Sequence, residues 1–302
     1  MPRKSARRKV IYLLLGLAVV YSGVCFQLAR NYIRPARYVP VRPPWLHEVK
    51  VDTRYGPTPS WVTDGFVDGK PSQVVFVMAH GYGGSRETWS EPMADLHARG
   101  FDCVALSMPG QDASPAQTVG FGIAEGHTVA DAVRWTRRVT DGKSKVVVFG
   151  VSMGGAACWL ATEEDPTIDG IVTEGAYARF DQAMNTFFNR KMPGGSVVLS
   201  PVVTFAKWMT GLEPKSVRPV DSASKWQGRP ALVIQGASDT LITLDQGHDL
   251  SKAAGCPEWV VPEAEHAQCF EVARAEYDSR LVQFANRLSN AGANRGHRVG
   301  PG

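Results

Sequence analysis

The 302-residue chain reads as an α/β protein with a mainly parallel central sheet, helices on both faces and a small helical cap insertion. Three observations predict this. Apolar, β-branched runs alternate with helical stretches through the second half of the chain. The runs at 73–79, 145–149 and 231–235 are continuous rather than alternating, as strands buried on both faces require. Residues able to do chemistry gather just past the ends of those runs, where open α/β sheets bind ligands.

Residues 1–9 are basic, with Arg3, Lys4, Arg7, Arg8 and Lys9. An uncharged stretch follows at 10–29, and a helix of that length spans roughly 30 Å, the thickness of a bilayer core. It reads as a transmembrane signal-anchor. A cleaved signal peptide is the alternative, but the apolar core is long and no clean A-x-A cleavage pattern follows it. Five clustered cations before the span, against the four arginines after it, place the N-terminus inside and the body outside the cytoplasm. With cleavage, the body would be secreted. Residues 30–47, rich in Arg and Pro, form a linker.

The folded body covers 48–289. Strands at 48–53 and 59–62 flank a turn at Tyr55-Gly56-Pro57, and the strand at 73–79 runs into His80-Gly81-Tyr82-Gly83-Gly84. Ser85 is placed to cap a helix at 86–99. A strand at 101–106, a Gly/Pro-rich loop at 107–122 and a helix at 126–140 come next, the helix presenting Ala130, Val133 and Trp135 inward. Then follow a strand at 145–149, a helix at 153–164 and a strand at 168–173. The rhythm breaks at 176–228, read as a cap insertion whose Phe187, Phe188, Phe205, Trp208 and Met209 supply apolar surface. The cap packs on the body, or also touches lipid or an acyl chain; its run at 197–205 is too short to span a membrane. Strands at 231–235 and 258–261 and a helix at 268–289 close the body. The Gly-rich tail at 290–302 is expected to be disordered.

Charge excludes one class of partner. Nine of the 33 Lys/Arg lie in the first 47 residues, which hold no acid, so 24 remain against 29 Asp/Glu. A mildly acidic body lacks the clustered positive charge that nucleic acid requires. Of the five cysteines, Cys25 lies in the span, while Cys103 and Cys158 read as small packing residues. Cys256 and Cys269 flank the last strand and its loop, where an oxidising compartment would permit a bridge.

The chemistry rests on Ser152 in Gly150-Val151-Ser152-Met153-Gly154, Asp239 ending a run that leads into Gly236-Ala237-Ser238, and His266 in Glu263-Ala264-Glu265-His266. A serine hydroxyl holds its proton tightly and needs an adjacent base to attack carbon. Small residues at Gly150 and Gly154 permit the sharp strand-to-helix turn that exposes such a hydroxyl. His266 is the candidate general base, then acid; Asp239 would fix its tautomer and stabilise the imidazolium. The backbone N–H groups of Met153 and Tyr82 are the candidate oxyanion donors. His80 and Gly81 support that loop, though His80 alone also reads as a polar strand end. Singly, each signal is weak: G-x-S-x-G arises by chance in a Gly-rich chain, and a lone Asp or His is more often a turn or surface residue. The order nucleophile, acid, base, each just past a strand, is what gives them weight. His47, His97, His127, His248 and His297 have no such context.

With these residues, 48–289 resembles the α/β-hydrolase superfamily. It looks most like the membrane-anchored serine hydrolases related to dipeptidyl- and prolyl-peptidase catalytic domains. The matching stretches are His80 to Gly84, Gly150 to Gly155, Pro219-Val220-Asp221, Gln235 to Asp239 and Glu265-His266. The resemblance implies the triad Ser152, Asp239 and His266. Where relatives carry an Arg-Gly-His-Gly-like stretch after the fourth strand, this chain has Met108-Pro109-Gly110-Gln111-Asp112, so substrate preference does not carry over.

The expectation is a serine hydrolase that forms an acyl-enzyme on an apolar, lipid-like or small-molecule ester, a carboxylesterase or lipase-like enzyme. A peptidase of the same fold is the alternative, and a non-catalytic hydrolase-fold binding protein is the reading from another class. No cofactor is implied, since neither a metal-ligand spacing nor a dinucleotide fingerprint occurs. The sequence carries no signal of oligomeric state.

Overall fold

The structure, a computed structural model, describes residues 2–296. A long helix, α1 (Pro2–Ile33), leads through an extended segment to the hairpin β1 (His47–Thr53) and β2 (Gly56–Val62). Then come β3 (Val74–Ala79), a 3-10 turn (Arg86–Trp89) with α2 (Ser90–His97), β4 (Asp102–Leu106), α3 (Ile123–Val139), β5 (Lys145–Val151), α4 (Met153–Glu164) and β6 (Gly170–Glu174). Next are α5 (Phe180–Lys191), α6 (Gly195–Val198), α7 (Ser200–Thr210) and α8 (Pro219–Lys225). β7 (Ala231–Gly236), α9 (Leu244–Ala254), β8 (Glu258–Val261) and α10 (Cys269–Gly296) complete the chain.

The eight strands lie in the order β1-β2-β4-β3-β5-β6-β7-β8. β1, β2 and β4 pair antiparallel, and β4-β3 and every pair beyond it are parallel. Successive side chains on a strand point to opposite faces. In β3, Val75, Val77 and Ala79 therefore join one core under α3, α4, α8 and α9, while Val74, Phe76 and Met78 join another under α2 and α10. The continuous apolar runs follow from this, because both faces are covered. The helices have the predicted inward contacts: Ala130, Val133 and Trp135 are all buried.

The structure differs from the sequence reading in four elements. Helix α1 is longer than the apolar run and continues into the expected linker. The stretch 176–228 splits, because Ala223 and Trp226 near α8 pack into the body core, leaving α5–α7 as the projecting part. Helix α9 is an unpredicted element. Helix α10 runs past Ser289 to Gly296, while 297–302 of the expected tail lie outside the described residues. All five cysteines are free thiols, so the bridge between Cys256 and Cys269 does not form.

Candidate active site

Every parallel strand delivers one piece of the site at its carboxyl end. After β5 the chain turns sharply into α4 at Ser152, whose φ of 55° and ψ of −121° lie outside the usual regions for an L-residue. The two glycines make room. A Cβ on Gly150 would lie 2.3 Å from the Gly154 carbonyl, and one on Gly154 would lie 2.0 Å from the Ala79 oxygen. The Ser152 N–H is held by the Glu174 carbonyl at 2.8 Å. The Ser152 Oγ is thereby presented at the strand tip, 2.9 Å from His266 Nε2.

His266 follows β8, and its Nδ1 lies 2.7 Å from Asp239 Oδ2. Asp239 follows β7 and is nearly fully buried. Its other oxygen accepts the N–H groups of Leu241 and Ile242 at 2.9 and 2.8 Å, and Gln235 Nε2 donates to Oδ2 at 3.3 Å. These donors hold the carboxylate in place. With Asp239 accepting, Nδ1 carries the proton and Nε2 is free to accept the serine proton. Chemically, the row can generate an alkoxide-like nucleophile and hold the resulting imidazolium against an anion.

The loop after β3 faces this row. A Cβ on Gly81 would stand 3.1 Å from Ser152 Cβ, so the loop passes directly beside the serine. Neither the Tyr82 N–H nor the Met153 N–H finds an acceptor among the described residues, and both residues line the cavity over Ser152. His80 lies beneath, wholly buried. Its Nε2 accepts the Met108 N–H at 3.2 Å, which leaves Nδ1 protonated to donate to the Gly81 carbonyl at 2.9 Å. Burial lowers its pKa to about 4, against weaker upward pulls from that bond and from Asp112, so the ring stays neutral at ordinary pH.

Residues 74–212 match the family model of the alpha/beta hydrolase fold. An esterase of Pyrococcus furiosus superposes with TM-score 0.70 at 20% identity, over 85% of this chain and 100% of its own. An N-acyl homoserine lactonase, crystallised as a mutant with N-hexanoyl homoserine, gives 0.57 at 18% identity over 80% and 97%. A 2-hydroxy-6-oxo-6-phenylhexa-2,4-dienoate hydrolase from a Rhodococcus strain gives 0.56 at 17% over 80% and 99%. At such identities the likeness is one of fold. No curated protein matches the chain by sequence. The protein has the α/β-hydrolase fold.

In this α/β-hydrolase fold the cavity above Ser152 and His266 has a volume of about 320 Å³. Its walls are largely aromatic and aliphatic, among them Phe121, Phe180, Phe187, Val203 and Ile242. Phe121 stacks between Tyr82 and Phe180, with ring centroids 6.0 and 4.9 Å away.

Several positions near the site went unread in the sequence. Gly175, at φ +56°, lets β6 end beside the imidazole, since a Cβ there would lie 3.4 Å from the His266 ring. The buried Glu174 carboxylate accepts the Cys269 N–H at 2.9 Å and the Tyr277 hydroxyl at 2.7 Å, tying β6 to the start of α10. Burial raises its pKa. Gln111 takes the Gly83 N–H through its side-chain oxygen. Asp112 pairs with the buried Arg86 guanidinium at 2.9 Å. The stretch 108–112, marked in the sequence only as a departure from relatives, thus braces the Tyr82 loop. Composition gave no sign of this, because a Gln and an Asp in a Gly/Pro-rich loop read as solvated turn residues.

Proposed function

We propose that the protein is a serine hydrolase that acts on carboxylic esters with an apolar acyl group. Ser152 Oγ attacks the ester carbonyl as His266 Nε2 takes its proton. The N–H groups of Tyr82 and Met153 receive the oxyanion. The protonated His266 then returns the proton to the departing alcohol, leaving an acyl group on Ser152. Water, deprotonated by the same imidazole, attacks that acyl group and releases the acid, restoring the serine. Asp239 holds the imidazole throughout.

The observation that carries this reading is the hydrogen-bonded row Asp239–His266–Ser152 opening onto an apolar cavity. The likeness of fold to an esterase and to a lactonase is consistent with acyl transfer to water. The resemblance of the sequence motifs to dipeptidyl- and prolyl-peptidase catalytic domains makes peptide cleavage the competing activity. Against it stands a cavity wall with few polar groups to receive a peptide backbone.

The stretch Arg7–Ile33 of α1 is long and apolar enough to cross a membrane or to serve as a signal sequence. In our reading it is retained as a single-pass anchor, with the N-terminus inside and the body outside the cytoplasm. A cleaved signal would instead yield a secreted enzyme.

The test is labelling with a fluorophosphonate followed by ester assays. Labelling that vanishes in Ser152→Ala, with hydrolysis of p-nitrophenyl esters far above that of aminoacyl anilides, is the expected result. A folded protein that never labels would be a binding protein, and faster anilide turnover would make it a peptidase.

A further inference from the structure

The last turns of α1 do not behave as a spacer. Cys25, Ala29 and Ile33 recur at intervals of four and are buried, although the helix before them is exposed. Cys25 and Ala29 pack with Phe188 of α5 and Val202 of α7. The Phe26 ring meets Phe205 edge-on at 5.6 Å, and the Tyr32 ring meets Phe187 at 5.6 Å and Phe188 at 5.9 Å. Higher up, the Tyr21 hydroxyl donates to the Val198 carbonyl.

The same turns reach the body. The Ile33 carbonyl accepts the Val119 N–H at 3.0 Å, and the Tyr32 carbonyl accepts the Tyr82 hydroxyl at 3.0 Å. Tyr82 is the residue whose N–H is the candidate oxyanion donor, on the loop that passes beside Ser152. Tyr32 itself lines the cavity over Ser152 and His266, together with residues of α5 and α7. Without α1 that side of the cavity would lose a wall, and the apolar faces of Phe188 and Val202 would meet water, which hydrophobic burial opposes.

We propose that the C-terminal turns of α1 form one wall of the acyl-binding site, which takes a linear fatty-acyl chain laid along Tyr32 and the aromatic and aliphatic side chains of α5 and α7 that line the same cavity. The inference rests on the hydrolase reading above and adds the class of substrate. It follows from the chemistry of the lining. The Tyr82 and Tyr177 hydroxyls are spent on the Tyr32 and Phe121 carbonyls, and Lys207 is held by Glu213, so the inner wall offers chiefly carbon. A hydrocarbon chain loses no hydrogen bonds on entering, whereas a polar acyl group would leave its own unmade.

The experiment uses the full chain in phospholipid nanodiscs and a fluorophosphonate bearing a linear decyl chain that ends in a diazirine. Ser152 Oγ bonds to phosphorus as fluoride leaves and the serine proton passes to solvent. Irradiation expels nitrogen, and the carbene inserts into the nearest C–H bond. Peptide mapping is expected to join Ser152 to residues 25–33, with α7 as the other acceptor. Labelled Ser152 with insertion only into other parts of the body or into lipid overturns the wall while leaving the hydrolase reading intact. Unlabelled, folded protein overturns both. As a second measurement, Tyr32→Ala is expected to lower the ratio of kcat/KM for p-nitrophenyl decanoate to that for the acetate by about tenfold, and Tyr32→Phe to restore it. A purely structural role would depress both esters alike, and an unchanged ratio in Tyr32→Ala overturns the proposal.

Discussion

Gly154 lies so close to Ala79 that any side chain on it would run into the Ala79 carbonyl oxygen, 2.0 Å away. Both atoms belong to backbone, one at the start of α4 and one at the end of β3, so neither yields without moving an element. Gly154→Ala is expected to destabilise the fold by roughly 3 kcal/mol or more, as overpacking against rigid backbone does. Urea denaturation checks it. Gly81→Ala is milder, since the new methyl meets Ser152 Cβ at 3.1 Å. That variant should fold yet lose about 100-fold in kcat, the cost of a serine pushed off line.

Asp239 divides its oxygens between His266 and the N–H groups of Leu241 and Ile242. In Asp239→Asn, the amide must turn its NH2 either towards the imidazole or towards two other donors. The first arrangement forces the wrong tautomer on His266; the second sets donor against donor. A fall in kcat of about 10⁴-fold is expected at unchanged far-UV circular dichroism. A loss under tenfold would show that the carboxylate does not govern the imidazole.

His80 makes stability depend on pH. Unfolded, its imidazole binds a proton below about 6.5; folded, burial delays this until about 4. The stabilisation is therefore whole above pH 6.5 and is lost as the pH falls through that window, at most about 3 kcal/mol. His80→Gln should remove this share. Urea unfolding at pH 7 and pH 4.5 should show a drop in the native protein that exceeds the drop in the variant. Equal drops would mean that His80 is not held neutral.

Arg86 is 1% exposed and pairs with the equally buried Asp112, with the Trp61 ring 4.9 Å from the guanidinium. Arg86→Met fills much of the volume but abandons a buried carboxylate, a loss of about 3–5 kcal/mol. Arg86→Met combined with Asp112→Asn, which removes the buried charge yet suits the φ of 47° and can still accept the Arg86 N–H, should recover part of it. A double-mutant cycle in guanidinium chloride measures both, and additive losses would show the two to be uncoupled.

The strand positions, the mainly parallel sheet and the row of Ser152, His266 and Asp239 were legible because short local patterns carry them: continuous apolar runs, a Gly-flanked serine, and polar residues just past strands. What escaped had a different cause in each place. Helix α9 hides because Gly247 and several polar residues interrupt it; it forms around Gln246, Leu250 and Ala254, which are buried, and Gly247 is needed where the helix crosses Gln235. The four-residue stripe of Cys25, Ala29 and Ile33 is invisible inside a segment that is apolar all round, since periodicity shows only against a polar background. The bracing by Gln111, Asp112 and Glu174 depends on residues far apart in the chain, and their letters look like any solvated loop or strand end.

The segment between α1 and β1 has little slack. Arg37 grips the carbonyls of Ser114 and Ala116, just after Ile33 has bonded to Val119. A protein hung on a loose string can swivel and bob; this one is bolted to its stem. Wherever that stem is planted, the Ser152 hydroxyl keeps one height and one bearing relative to it, so access becomes a matter of direction as well as distance.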